Sequence, residues 1–165
     1  MPGHFLSAVA ALVIANCGIG LAADDTFVAQ KGAITGKWIP WQATTFAPSY
    51  EKRYGEMTAV EQQHFRTWYE DLDERDEPPY PANGLRELFA DIAKIQKKLR
   101  MEGLMLAVAH VDEHGDAHTV SIIQIPNEMA KAPLGFSLIK TKYKPGLCDG
   151  TPCAMDFPVY FNFEP

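Results

Sequence analysis

Between Gly84 and Met101 the apolar residues Leu85, Leu88, Phe89, Ile92, Ile95 and Leu99 recur at intervals of three and four. Arg86, Glu87, Asp91, Lys94, Lys97 and Lys98 take the positions between them. That spacing gathers the apolar set on one face and predicts a helix from Gly84 to Met101, with Asn83 as its N-cap. Lys97, Lys98 and Arg100 fall at the end where the helix dipole favours cations. A second helical pattern, Val60, Phe65, Trp68 and Leu72, follows Thr58 and Glu61, which have the spacing of a capping box. The acidic run Asp71, Asp73, Glu74, Asp76 and Glu77 then reads as the solvated end of that helix, closed by Pro78-Pro79.

From Gly103 the pattern changes. LMLAVAHVDEHGDAHTVSIIQI holds two apolar runs around Asp-Glu-His-Gly, and Gly115 supplies the permissive turn residue of a β-hairpin. Pro126-Asn127 closes the hairpin, Pro133 opens a short helix to about Lys142, and Lys144-Pro145-Gly146 ends it. In the last segment Phe157, Val159, Phe161 and Phe163 alternate with Pro158, Tyr160, Asn162 and Glu164, the mark of a half-buried strand. The order helix, strand, strand, helix, strand predicts an α+β domain over residues 79–165. It is a small antiparallel three-stranded sheet with helices packed on one face. Residues 24–78 precede it as an irregular arm and an extra helix. Trp38 and Trp41 in the arm read as packing residues or as a stacking platform for a ligand.

The first residues change the picture of location. Phe5 to Ala23 is uncharged and rich in small apolar residues, and Asp24-Asp25 follow. Residues 1–23 therefore read as a secretory signal peptide cut after Ala22 or Ala23, with an uncleaved membrane anchor as the competing reading. Export would place the protein outside the cytosol and leave two cysteines, Cys148 and Cys153, in an oxidising compartment. There a structural disulfide is the expected outcome. Their spacing is not the Cys-x-x-Cys of a thiol oxidoreductase, and one pair without a second makes a poor zinc site. The expected role is to staple an Asp-Gly turn before the last strand. A formal net charge of -6 gives no basis for nucleic-acid binding.

Candidate chemistry is sparse. His110, Asp112, His114, Asp116 and His118 crowd the hairpin, and His110 and His118 are candidates to face each other across it. Polar residues collect at turns in any case, so no metal site is assigned. The acidic run lacks the ligand spacing of a calcium loop. Gly135-Phe136-Ser137-Leu138 departs from a nucleophile elbow at Ile139. There is no phosphate loop, dinucleotide fingerprint or His-Glu-x-x-His. The expectation is a non-catalytic protein with no cofactor.

Several features stand in a familiar order: Tyr80-Pro81 before the main helix, Val108, Val111-Asp112 and Gly115 in the hairpin, Lys144-Pro145, Gly150-Thr151-Pro152, and a last strand ending Phe161-x-Phe163. In these, residues 79–165 resemble the C-terminal domain of TonB, the periplasmic energy transducer of Gram-negative bacteria. The helix after Tyr80 is longer than usual there, and Cys153 replaces an aliphatic residue. The resemblance implies a module that recognises a segment of an outer-membrane transporter or other envelope protein by adding it to an exposed sheet edge. Tyr160 and Asn162, outward on the last strand, and Tyr80 at the helix entry are then the candidate partner contacts. Alternatively, Tyr160 and Asn162 are the solvated face of an ordinary strand. Edge strands also open the way to a homodimer. Two other readings stay open: a membrane-anchored transducer, which would need residues 5–23 uncleaved, and a small periplasmic enzyme or enzyme inhibitor using the arm.

Overall fold

The computed structural model describes residues 51–164. The signal or anchor segment and the arm with Trp38 and Trp41 lie outside them. Three helices occur among the described residues: α1 (Ala59–Arg66), α2 (Arg86–Leu99) and α3 (Lys131–Lys140). Seven strands accompany them: β1 (Tyr80–Pro81), β2 (Gly103–Val111), β3 (Ala117–Gln124), β4 (Tyr143–Lys144), β5 (Gly146–Cys148), β6 (Thr151–Cys153) and β7 (Met155–Phe163). The main sheet is antiparallel with order β3-β2-β7, and two small pairs, β1-β4 and β5-β6, complete a mixed α+β fold.

Strand alternation decides which residues face the helices, although Leu106, Val108, Asp156 and Pro158 on the other face are buried as well. Met105, Ala107, Ala109 and Val111 of β2 share one face with Met155, Phe157, Val159, Phe161 and Phe163 of β7 and with Ala117, Val120 and Ile122 of β3. All of them belong to the core cluster except Ile122 and Phe161, which are partly buried against it. The helices close that core. Leu88 and Ile92 of α2 are 2% and 0% exposed, and Leu134 and Leu138 of α3 are each 1% exposed. Each such burial contributes about 1.5–3 kcal/mol. α3 packs over β3, while Phe89 of α2 meets Phe161 of β7 edge-on at 5.2 Å. The apolar periodicity of α2 is therefore its docking face. Its N-terminus differs from expectation: Asn83 does not cap it, and Leu85 stands at the cap with no side-chain bond. A cap moved two residues along lets Leu85 itself enter the core, 4% exposed.

α1 starts as the sequence requires. Thr58 Oγ1 accepts from the Glu61 amide at 3.3 Å, and Glu61 accepts from the Thr58 amide at 2.7 Å. The hydrogen bonds from Lys52 and Thr58 hold the Glu61 carboxyl at about 2. The helix stops at Arg66, however, and does not run on to Leu72. Trp68 and Tyr69 leave the helical path to enter the core, at 9% and 5% exposure. Arg66 holds the new direction by donating to the carbonyls of Asp73 and Asp76. The acidic run is thus not a solvated helix end throughout. Asp76 is buried, and its carboxylate accepts from the amides of Asp73 and Asp149, tying the run to the β5-β6 turn.

That turn is closed by a disulfide between Cys148 and Cys153, Cα atoms 5.8 Å apart. Asp149 and Gly150 between them have φ of +51° and +79°, which an Asp-Gly pair adopts at low cost. The hairpin turn depends on Gly115 for a second reason besides its φ of +81°. A Cβ there would collide with the carbonyl oxygen of Tyr143.

Candidate functional site

The last strand is an outer strand of the main sheet, so its far edge is the natural place to look for recognition. Which residues own that edge follows from Pro158. It stands opposite Val108 in an unbroken nine-pair register between β2 and β7. In an antiparallel strand a residue's N–H and C=O point to the same side, and alternate residues point to opposite sides. A proline has no N–H, so within a strand it belongs where its nitrogen faces away from the neighbour. Asp156, Pro158, Tyr160, Asn162 and Glu164 therefore turn their backbone groups away from β2.

The ends of that edge are occupied. The Tyr69 hydroxyl donates to the Asp156 carbonyl at 2.9 Å, and Gln96 of α2 donates to the Glu164 carbonyl at 3.4 Å. Burial, reinforced by the charge of Asp156, pushes the Tyr69 phenol well above its ordinary range, so it stays a donor. Between these two clamps lie the Pro158 carbonyl and both backbone groups of Tyr160 and Asn162. Among the described residues none of these groups has a partner outside the sheet. Tyr160 is half-buried and Asn162 exposed. Beneath them Phe161 is half-buried against Phe89 and Phe163, forming an apolar ledge. A shallow hollow of about 430 Å³, lined by Gln96, Lys97, Arg100 and Glu164 among others, borders the same end of the strand.

Tyr80, the third candidate contact, is corrected by its position. It pairs with Lys144 in β1-β4 and is 0% exposed, ringed by Tyr54, Phe65 and Phe157 at 5.4–6.2 Å. An aromatic ring before a helix fills a core here. Among the described residues its buried hydroxyl has no hydrogen-bond partner. Such a group costs about 1–3 kcal/mol. Tyr80→Phe should therefore leave stability unchanged or raise it by up to about 1 kcal/mol. Urea unfolding checks this, and a loss above that size would reveal a bond to the hydroxyl.

The hairpin residues do not converge as their crowding in sequence suggested. A register irregularity between His110 and Val111 pairs His110 with Thr119 and Val111 with Ala117, leaving His118 as the extra residue of a bulge. His118 and His110 are therefore not cross-strand partners. Asp112 gathers the turn by accepting from the amides of His114 and Asp116, each at 2.9 Å, and it bonds His118 at 3.0 Å. These bonds hold the Asp112 carboxyl below its ordinary range, the Asp116 amide contributing most. Asp116 pairs with Lys142. Among the described residues no group of three or more His, Cys, Asp or Glu could hold a metal ion.

His110 instead points to the sheet face opposite the core. Its Nδ1 lies 2.5 Å from Asp156 Oδ1, directly across the ladder, and its Nε2 lies 2.9 Å from Ser121 Oγ on the other neighbouring strand. Ser121 is opposite Val108, so the contact is the diagonal one that a long side chain reaches. The three residues are 11 and 46 positions apart in pairs, and only the bulged register brings them together. Nothing in the spacing of the sequence signals them.

Comparison of the chain with family models, curated proteins and solved structures returned no match. Among the described residues no helix is long and apolar enough to cross a membrane.

Proposed function

We propose that the protein is a periplasmic protein-binding module, similar to the TonB C-terminal domain, that captures an extended segment of an envelope protein along the free edge of β7. One observation carries this reading: the stretch of backbone at Pro158, Tyr160 and Asn162 that has no partner outside the sheet among the described residues, held between the Tyr69 and Gln96 clamps. Main-chain hydrogen bonds to such an edge supply affinity, and alternate side chains of the added strand supply selectivity. The window spans about five residues, roughly 17 Å of strand. An added strand would turn one set of side chains toward Tyr160 and Asn162 and the other toward Phe161.

A three-stranded antiparallel sheet with helices packed on it is what the TonB-like reading expects, and it supports that reading without depending on Tyr80. The test is photo-crosslinking in cells from a photoreactive residue at Asn162, with Glu113 at the exposed hairpin tip as control. The expected result is a discrete adduct with another envelope protein from position 162 only. Adducts of equal yield from both positions, or none from 162, would count against edge recognition. An adduct between two copies of this chain would make the partner a second protomer.

A further inference from the structure

We propose that Ser121 is an activated nucleophile, with His110 as its general base and Asp156 orienting the imidazole, and that it takes activated esters with small apolar acyl groups. This rests on the sheet face opposite the core and is independent of edge binding at β7.

The geometry carries the assignment. An ionised carboxylate can only accept, so the 2.5 Å contact from Asp156 places a proton on His110 Nδ1. In the neutral imidazole Nε2 is then an acceptor, and the Ser121 hydroxyl donates to it at 2.9 Å. That is the connectivity of a nucleophile, a base and an orienting acid, recognised by roles and distances rather than by sequence order. The Asp156 side chain is 10% exposed, and His110 keeps 22%, enough for its ring to exchange a proton with solvent. Ser121 is half-buried, whereas Ser137, the other serine among the described residues, is buried and in a helix. Ile123, the extra residue of a second bulge in β3, is 55% exposed two positions from Ser121, an apolar surface for an acyl group.

The step balances. Ser121 Oγ forms a bond to the acyl carbon as its proton passes to His110 Nε2, and the ester C–O bond breaks. The departing alcohol takes the proton from Nε2. Water, deprotonated by the same nitrogen, then releases the acid and restores the hydroxyl. Backbone amides in a sheet lie in its plane and are directed at neighbouring strands, so none is aimed at an oxyanion above Ser121. A missing oxyanion donor costs about 10²–10³ in rate. Covalent capture is therefore the sharper readout than turnover.

The test uses a biotinylated fluorophosphonate on the full-length protein, where Oγ–P forms, P–F breaks and fluoride leaves. Peptide mass mapping should find the adduct on Ser121, absent from Ser121→Ala, with labelling slowed about 10²-fold or more in His110→Gln. The native protein should also label at Ser121 while urea-unfolded protein does not, which decides the matter even if either variant fails to fold. No adduct on Ser121, or equal labelling of native and unfolded chains, overturns the proposal.

Discussion

Replacing Phe65 by Ala should cost this protein about 3–5 kcal/mol of stability. Phe65 is 1% exposed and sits at the centre of an aromatic cluster, with ring centroids of Trp68 at 4.9 Å, Tyr80 at 5.4 Å, Tyr69 at 6.0 Å and Tyr54 and Phe157 at 6.3 Å. Those neighbours come from the segments on either side of α1, from β1 and from β7, so no one element can collapse into the space left behind. A Phe-to-Ala change in such a core costs about 3–5 kcal/mol, against a net stability of about 5–15 kcal/mol for a domain. The corresponding fall in melting temperature is about 10 °C or more. Thermal unfolding followed by circular dichroism measures it. A fall of under about 1 kcal/mol would mean that α1 is an appendage rather than part of the core.

That outcome matters for function because of Tyr69. The segment after α1 carries the hydroxyl that closes one end of the β7 edge, so the α1 core and the recognition window are mechanically joined. Lys144 adds a second tie. Its ammonium lies 4.9 Å from the Tyr54 ring centroid and 3.0 Å from Glu77, and burial holds its pKa below the ordinary range. Residues 51–78 are in this sense part of the folded unit, although their sequence reads as a separate arm and helix.

What the sequence made legible follows from how local each signal is. The apolar stripe of α2 is a property of one helix, and the capping box at Thr58 needs only four residues, so both could be read without knowing the fold. The alternation in β7 likewise shows which side chains face inward. The end of α1 was not legible, since Trp68 and Tyr69 fit a continuing helix equally well. Their contacts draw the chain out of it: both rings pack on Phe65, and the Tyr69 hydroxyl reaches the Asp156 carbonyl 87 positions on. Tyr80 failed for the same reason, because an aromatic residue before a helix looks the same whether it meets a partner or a core. The Ser121–His110–Asp156 relay is the extreme case. It exists only in the register set by the bulge at His118, and strand pairing across a bulge cannot be counted from hydrophobic pattern alone.

The second large effect is expected at the edge itself. Tyr160→Lys with Asn162→Pro should abolish strand addition while leaving the domain folded. Both positions direct their backbone outward from β2, so a proline at 162 removes a free N–H without breaking the β2-β7 ladder, as Pro158 already does. Lysine at an edge is a common device against unwanted pairing. Losing main-chain bonds and the fit of one side chain should weaken binding by about 100-fold or more, some 2.7 kcal/mol. Surface changes away from the core should cost stability no more than about 0.5 kcal/mol. The deciding measurement is a quantitative pull-down of envelope proteins by the wild-type chain and this double variant, with equal melting temperatures as the check on folding. The expected result is a partner retained by the wild-type protein and lost from the variant. The same partner held equally by both would contradict recognition through the free edge of β7.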